Sequence, residues 1–307
     1  MKRFPILWAL AACLFGLAAP AEAAKKVVLV AGRPSHGPGD HEFNAGCKLL
    51  QKCLAEIPGV EPVFVPGGWP ADESVFDGAD TLVFFMDGGS GHPMIQGDRL
   101  SKLEALMAKG TGLVCMHYAV EVPKGRPGDA FLEWIGGYYE TAFSTNPHWV
   151  AEIARLPEHP TTRGVKPFGV RDEWYFNMRF RPEMKGVTPL LIAKPDDATR
   201  QGTSSSPRGP YPHIVAAKGR DEILAWAVER PDGGRGIGFT GGHSHRNWGN
   251  DEFRKFIINS ILWTAKMEVP SDGFPSKVTE ADLEKNLDPK GARPKAGAQK
   301  TAAGAAK

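Results

Sequence analysis

Cysteine is scarce: four in 307 residues, at positions 13, 47, 53 and 115. Beyond the first 24 residues only Cys47, Cys53 and Cys115 remain, an odd count at scattered positions that makes no disulfide framework. They read as small core residues, with Cys47 and Cys53 pointing to different faces of one helix. One-signed charge is also lacking, since the formal net charge is +2. Removing the five positive charges of residues 289–307 and the one net positive charge of residues 1–24 takes +2 to −4 for residues 25–288. A mildly acidic body argues against a nucleic-acid partner. After the first 24 residues no apolar run approaches a membrane span. No segment repeats at a solenoid period, and no HExxH metal signature occurs. Oligomeric state is left open.

The two ends read differently from the body. Lys2-Arg3 precede an apolar run from Phe4 to Ala19, and "AEAA" at 21–24 offers a small-residue cleavage site. Residues 1–24 therefore read as a secretory signal peptide, and the protein as periplasmic or extracellular. "LAAC", ending at Cys13, resembles a lipoprotein processing box, but the apolar residues that follow it favour the later cut. Residues 271–307 read as an extended tail. From about 289 it is basic, with no large apolar residue to offset the entropy of ordering it.

Between the ends the periodicities alternate. "KKVVLVAG" (25–32), "VEPVFVPG" (60–67), "ADTLVFFMDGG" (79–89) and "GLVCMHY" (112–118) are short apolar runs with the length and flanks of buried parallel strands. Helical patterns fall over 41–56, 96–109 and around 129–136, and a final amphipathic helix over about 250–266. "HWVAEIARL", "DEWYFNMRF" and "TPLLIAK" read as extended, and residues 196–212 as a turn-rich surface excursion. "EILAWAVER" and "GRGIGFTGG" predict a hairpin across Pro231–Gly234. Residues 25–270 thus predict one α/β domain, an open, mostly parallel sheet with helices on both faces. In such sheets ligands bind beyond the carboxyl ends of the strands.

Histidines gather at those ends. The first strand leads into His36, Asp40, His41 and Glu42, the third into Asp87 and His92, and the fourth ends at His117 with Glu121 close behind. The last core strand leads into His243, His245, Arg246, Asn247 and Trp248. Six of nine histidines at one sheet edge point to a site rather than to isolated structural residues. Gly88-Gly89 and Gly241-Gly242 suit close backbone approach there. "DEWYF" adds Asp172, Glu173 and Trp174, with one acid aimed inward or both in solvent. "NPHW" (146–149) is a polar-aromatic cluster without a place.

"GLVCMHYA", the "HP" at 159–160 and "GRGIGFTGGHSHRNWGNDEFRKFIINSILW" resemble the ThuA-like (trehalose utilisation) family over about Lys25 to Pro270. The resemblance implies a flavodoxin-like fold similar to class I glutamine amidotransferases. It also implies a role in breakdown of disaccharides and related glycosides, including keto-sugars. An amidotransferase places its cysteine nucleophile on the elbow after the strand. Here that position is His117, and Cys115 lies inside the strand, where burial leaves a thiol unreactive. The amidotransferase mechanism is therefore absent.

Three readings follow. In the first, an exported hydrolase or lyase acts on a small carbohydrate, with His117, Glu173 and His243 as catalytic groups near neutral pH. Asp87, Gly88, Gly89, His92, Glu121, Trp174, His245, Asn247 and Trp248 would then bind substrate, the tryptophans by stacking. In the second, His36, His41, His117, His243 and His245 supply ligands to a zinc-like divalent metal with one position open for water. In the third, the same residues only bind a sugar.

Overall fold

A computed structural model describes residues 23–201 and 211–291. Residues 1–22, which hold Cys13 and most of the expected signal peptide (1–24), residues 202–210 and the tail beyond 291 lie outside the described residues. The central sheet has seven strands in the order β2-β1-β3-β4-β11-β10-β9. These are β1 Lys25–Ala31, β2 Val60–Val65, β3 Thr81–Phe85, β4 Gly112–Met116, β9 Val187–Ala193, β10 Glu222–Glu229 and β11 Arg235–Phe239. The first five in that order are mutually parallel, and β10 runs antiparallel to both β11 and β9. The expected hairpin is therefore β10–β11. The four strands that carry histidines at their ends, β1, β3, β4 and β11, are adjacent.

Every residue of β3 and β4 is buried, as expected for strands covered on both faces. Alternation divides their side chains between two apolar layers. Val83, Phe85, Val114 and Met116 pack under α1 (Phe43–Ala55) and α6 (Asp251–Thr264). Leu82, Phe84, Leu113 and Cys115 pack under α2 (Arg99–Met107) and α3 (Arg126–Trp134). Helix α6 starts where Asn250 accepts from the amides of Glu252 and Phe253, both at 3.0 Å, an N-cap worth about 1 kcal/mol. The three described cysteines, Cys47, Cys53 and Cys115, are free and buried. Cys47 and Cys53 face the same apolar layer rather than different ones, because α1 is buried over most of its circumference.

Two short ribbons flank the sheet. One pairs β5 (Gly137–Tyr138) with β8 (Arg179–Phe180), and the other pairs β6 (His148–Ile153) with β7 (Phe168–Glu173), antiparallel. Strict alternation of buried and exposed residues along β6 lays Trp149, Ala151 and Ile153 on the core and leaves the other face to solvent. This ribbon sets His148 directly opposite Glu173.

Small helices α4 (Asp197–Gln201) and α5 (Pro212–Ala216) border β9 and β10, and α7 (Glu280–Leu283) lies in the C-terminal segment. That segment is more attached than its composition predicts. Thr279 and Asp282 form a capping box, and Lys52 pairs with Asp282 at 2.8 Å. Lys290, expected in the undocked basic tail, is instead buried against Glu42 at 3.2 Å. No described helix is long and apolar enough to cross a membrane.

Candidate functional site

Strand β4 stops at Met116 because His117 leaves the extended region for φ +55°. Left-handed backbone at a non-glycine residue costs of order 1–3 kcal/mol and persists only where the surroundings fix it. The elbow anticipated from the sequence is therefore present, with an imidazole on it. His117 Nδ1 lies 2.9 Å from the carbonyl of Thr240, at the end of neighbouring β11. A carbonyl only accepts, so Nδ1 carries the hydrogen, and in the neutral ring Nε2 presents a lone pair.

His41 reaches the same point from the loop after β1, again with left-handed backbone, φ +48°. Its Nδ1 donates to Asp87 Oδ1 at 2.9 Å, so its Nε2 is also a lone pair. That atom lies 3.0 Å from His117 Nε2 and 2.9 Å from His243 Nδ1. His243 follows Gly242, whose φ of +111° turns the chain inward beside His117. Glu173, from the end of β7, places Oε2 3.1 Å from His243 Nδ1 and 3.5 Å from His117 Nε2.

His41, His117, Glu173 and His243 thus point four ligand atoms at one another, all within 4.8 Å, and all four residues are buried. A proton on His243 Nδ1 can serve Glu173 or His41. With both rings neutral, it still leaves His41 and His117 facing each other lone pair to lone pair, which no hydrogen bond between them satisfies. A cation does. The four contacts of 2.9–3.5 Å bracket the ~3.3 Å edge of a tetrahedron with ~2.0–2.1 Å zinc–nitrogen bonds. Each imidazole also has an acceptor behind it: Asp87 for His41, the Thr240 carbonyl for His117, and Asp40 at 3.6 Å for His243. Such outer partners fix the tautomers of metal-binding histidines. This residue set could hold a metal ion.

Burial and mutual charge shift three of the four groups. Burial, then the facing imidazoles, push His41 far below the ordinary histidine range. Burial opposes the charge of Glu173, but His117 and His243 outweigh it and hold the carboxyl well below its usual value. Burial likewise opposes the charge of His243, but Asp40 and Glu173 raise it to about 9. Outside this core, burial raises Glu121 to about 7, with the Glu173 charge adding and a hydrogen bond from Thr141 opposing. Burial, then Glu121 and its acidic neighbours, keep Tyr118 protonated up to about 12. Gly88 lets this segment approach, because a Cβ there would sit 2.1 Å from the Tyr118 carbonyl. Gly89 donates to the Glu121 carbonyl at 2.9 Å.

Other expected site residues fall elsewhere. His36 packs on His41, rings tilted by 31° with centroids 3.6 Å apart, and belongs to an outer group with His41 and Asp87. Asp87 accepts from His41 and so orients its imidazole. His92 is fully buried, accepting from the Met94 amide at 3.2 Å and donating to the Ala119 carbonyl at 3.1 Å. His245 is buried beside Glu42, Lys290 and the Leu283 backbone rather than in the centre, because residues 245–249 turn as a short 3₁₀ helix after His243. Trp174 and Trp248 are fully buried. Trp174 packs on Phe239 and Phe253, Trp248 on Phe85 and Phe253, so neither offers a ring to a sugar. Asn247 ties its loop to the Arg171 carbonyl.

The acid pair of "DEWYF" resolves inward for both members. Asp172 accepts from the amides of Gly242 at 2.6 Å and Ser244 at 3.0 Å, holding the His243 loop, and Glu173 enters the centre. Sequence reading missed the residues around it. Asn146 donates to Glu173 Oε1 at 3.0 Å, His148 stands 3.9 Å from the same carboxylate, and the Tyr175 hydroxyl lies 3.3 Å from His117 Nε2. The unplaced "NPHW" belongs here. The signal was the pairing of two extended segments, which sets His148 opposite Glu173.

One cavity meets the centre at His243 and a second reaches Asp87, the partner of His41. The first, of about 390 Å³, is lined by Asp40, His148, Arg171, Asp172, His243 and Ser244. The other, about 350 Å³, has Asp87, Trp69, Gln96, Arg33 and Arg99 in its wall. Both fall within the ~300–1,000 Å³ of small-molecule pockets.

Fold and site define the class: a flavodoxin-like, amidotransferase-like α/β protein whose elbow carries histidine in a three-histidine, one-carboxylate centre. The chain belongs to the ThuA family, described as trehalose utilisation, whose model matches residues 28–264. It is similar in fold to a ThuA-like protein from Parabacteroides merdae ATCC 43184, at 17% identity and TM-score 0.55, covering 85% of this chain and 99% of that one. A ThuA-like protein from Bacteroides uniformis ATCC 8492 is similar at 17% identity and TM-score 0.53, covering 81% and 95%. No curated protein matches in sequence. The family points to a role in carbohydrate utilisation.

Proposed function

We propose that this chain is an exported, metal-dependent enzyme, a hydrolase or lyase acting on disaccharides, glycosides or keto-sugars. The observation that carries the reading is the pair of lone-pair-bearing nitrogens, His41 Nε2 and His117 Nε2, facing each other at 3.0 Å beside Glu173 and His243. His41, His117, Glu173 and His243 would hold a zinc-like divalent ion. Such an ion, when bound, polarises a carbonyl or lowers the pKa of a bound water.

Proton handling falls to the residues beside the centre. Glu121, raised to about 7, can take or give a proton near neutrality, where general acid–base groups are worth ~10²–10⁴ in rate. Tyr118 stays protonated and can donate at its hydroxyl. The burial of Trp174 and Trp248 counts against a plain sugar-binding module, which would expose such rings. Export is supported by Lys2-Arg3, the apolar run Phe4–Ala19 and the "AEAA" site.

The test is a turnover screen of purified protein on trehalose and on keto-derivatives of disaccharides and glycosides, with and without chelator. Turnover abolished by chelator and restored by zinc is expected. Sugar binding without turnover, unaffected by chelator, would establish the binding-module reading instead.

A further inference from the structure

The loop that carries His41 is held from behind by the C-terminal segment. The side chain of Lys290 is 6% exposed and that of Glu42 is 1% exposed. The Lys290 ammonium donates to the carbonyls of Asp40 and His41, the latter at 3.1 Å, and stands 3.2 Å from Glu42 Oε1. An ammonium has three donors, and here they meet three consecutive residues. The other oxygen of Glu42 accepts from the Asp288 amide at 2.7 Å, and Asn44 donates to Asp288 Oδ1 at 2.8 Å.

On its opposite side the loop pairs with the β11 end. His41 N donates to the His243 carbonyl, and His245 N donates to the Gly39 carbonyl, both at 2.9 Å. His41 thus keeps its left-handed backbone, φ +48°, between two clamps, and one of them is the strap 288–290. Relaxation of that backbone would swing the loop and withdraw Nε2 from His117 and His243.

We infer that Lys290 is a positioning residue for the histidine centre: by capping the carbonyls of Asp40 and His41 and pairing with Glu42, it holds His41 in the conformation that presents Nε2 to the ligand set. The inference rests on the metal-centre reading for its effect on affinity, while its effect on the loop stands without it.

Lys290→Met in the full chain tests both. Amide hydrogen exchange of a peptide covering residues 36–44, measured without metal, should quicken about tenfold. Cobalt(II) affinity, read from the visible spectrum, should weaken about tenfold or more, as for other outer partners of metal ligands. Unchanged exchange overturns the strap role. Quickened exchange with unchanged cobalt affinity overturns its control of the centre. Wild-type protein that takes up no cobalt would end the metal reading, leaving the exchange result to decide the strap alone. If Lys290→Met fails to fold, Glu42→Gln with Lys290→Met removes both charges and leaves no buried ion unpaired. The same exchange and cobalt readings then apply.

Discussion

His117 and His92 are the same residue type, both follow strand ends of one sheet edge, and both are fully buried. They differ in how their nitrogens are used. His92 accepts at one nitrogen and donates at the other, each time to backbone, and it is complete without a ligand. His117 commits Nδ1 to Thr240 and leaves Nε2 among three other ligand atoms. Four buried ligand atoms converging on one point ask for an explanation that two backbone partners do not. The contrast locates the site more sharply than burial or the count of histidines does.

The contrast can be broken most severely at His117. His117→Ala should leave a folded protein that has lost metal binding, with turnover reduced by ~10²-fold or more. Retained metal and turnover would make His117 a structural residue like His92. Glu121→Gln should lower turnover by a similar ~10²-fold. The wild-type rate should change with pH across about 7, and the variant should lose that limb. A profile unaltered by the substitution removes Glu121 from proton transfer.

At His92 the effect should fall on stability instead. His92→Ala leaves the Ala119 carbonyl without its partner and a cavity behind, which costs of order 2–3 kcal/mol, visible as a lower melting temperature with metal binding intact. The pH dependence has a definite sign. Burial lowers His92 to about 4 from 6.5, so the folded state resists a proton that the unfolded chain accepts. Stability should fall as pH drops from 6.5 towards 4, at about 1.4 kcal/mol per pH unit in that window. His92→Gln should flatten that fall. If wild type and His92→Gln lose stability in parallel, the burial argument fails.

Architecture was legible because each strand of the parallel set is a short apolar run closed by glycine or a polar cluster. It announces both its burial and its end. The convergence of histidines followed from adjacency of those ends. What could not be read was which way each side chain turns after its strand. His243 and His245 look alike as a His-x-His pair, yet a 3₁₀ turn sends the second away. Trp174 and Trp248 sit among polar residues in sequence but insert into the core. His148 and Asn146 were invisible as site residues because they arrive by cross-strand pairing on a separate ribbon. Lys290 was misjudged because its own segment is polar, while its partners, Glu42 and two carbonyls, lie about 250 residues earlier.

The smallest effect should come from Cys115. It lies within β4, fully buried, with its thiol pushed up beyond reactivity by burial. Cys115→Ala should cost about 1 kcal/mol in stability and change turnover only severalfold. Alkylation at Cys115 that abolished turnover in folded protein would restore the nucleophile that the elbow lacks.

The central claim is that four buried side chains make one cation site. Titration of metal-free full-length protein with cobalt(II), alongside His117→Ala and His92→Gln, tests it most directly. The account predicts one tightly bound ion per chain with a tetrahedral visible spectrum in wild type and in His92→Gln, and none in His117→Ala. Absence of saturable binding in the wild type, or equal binding in all three proteins, would contradict it.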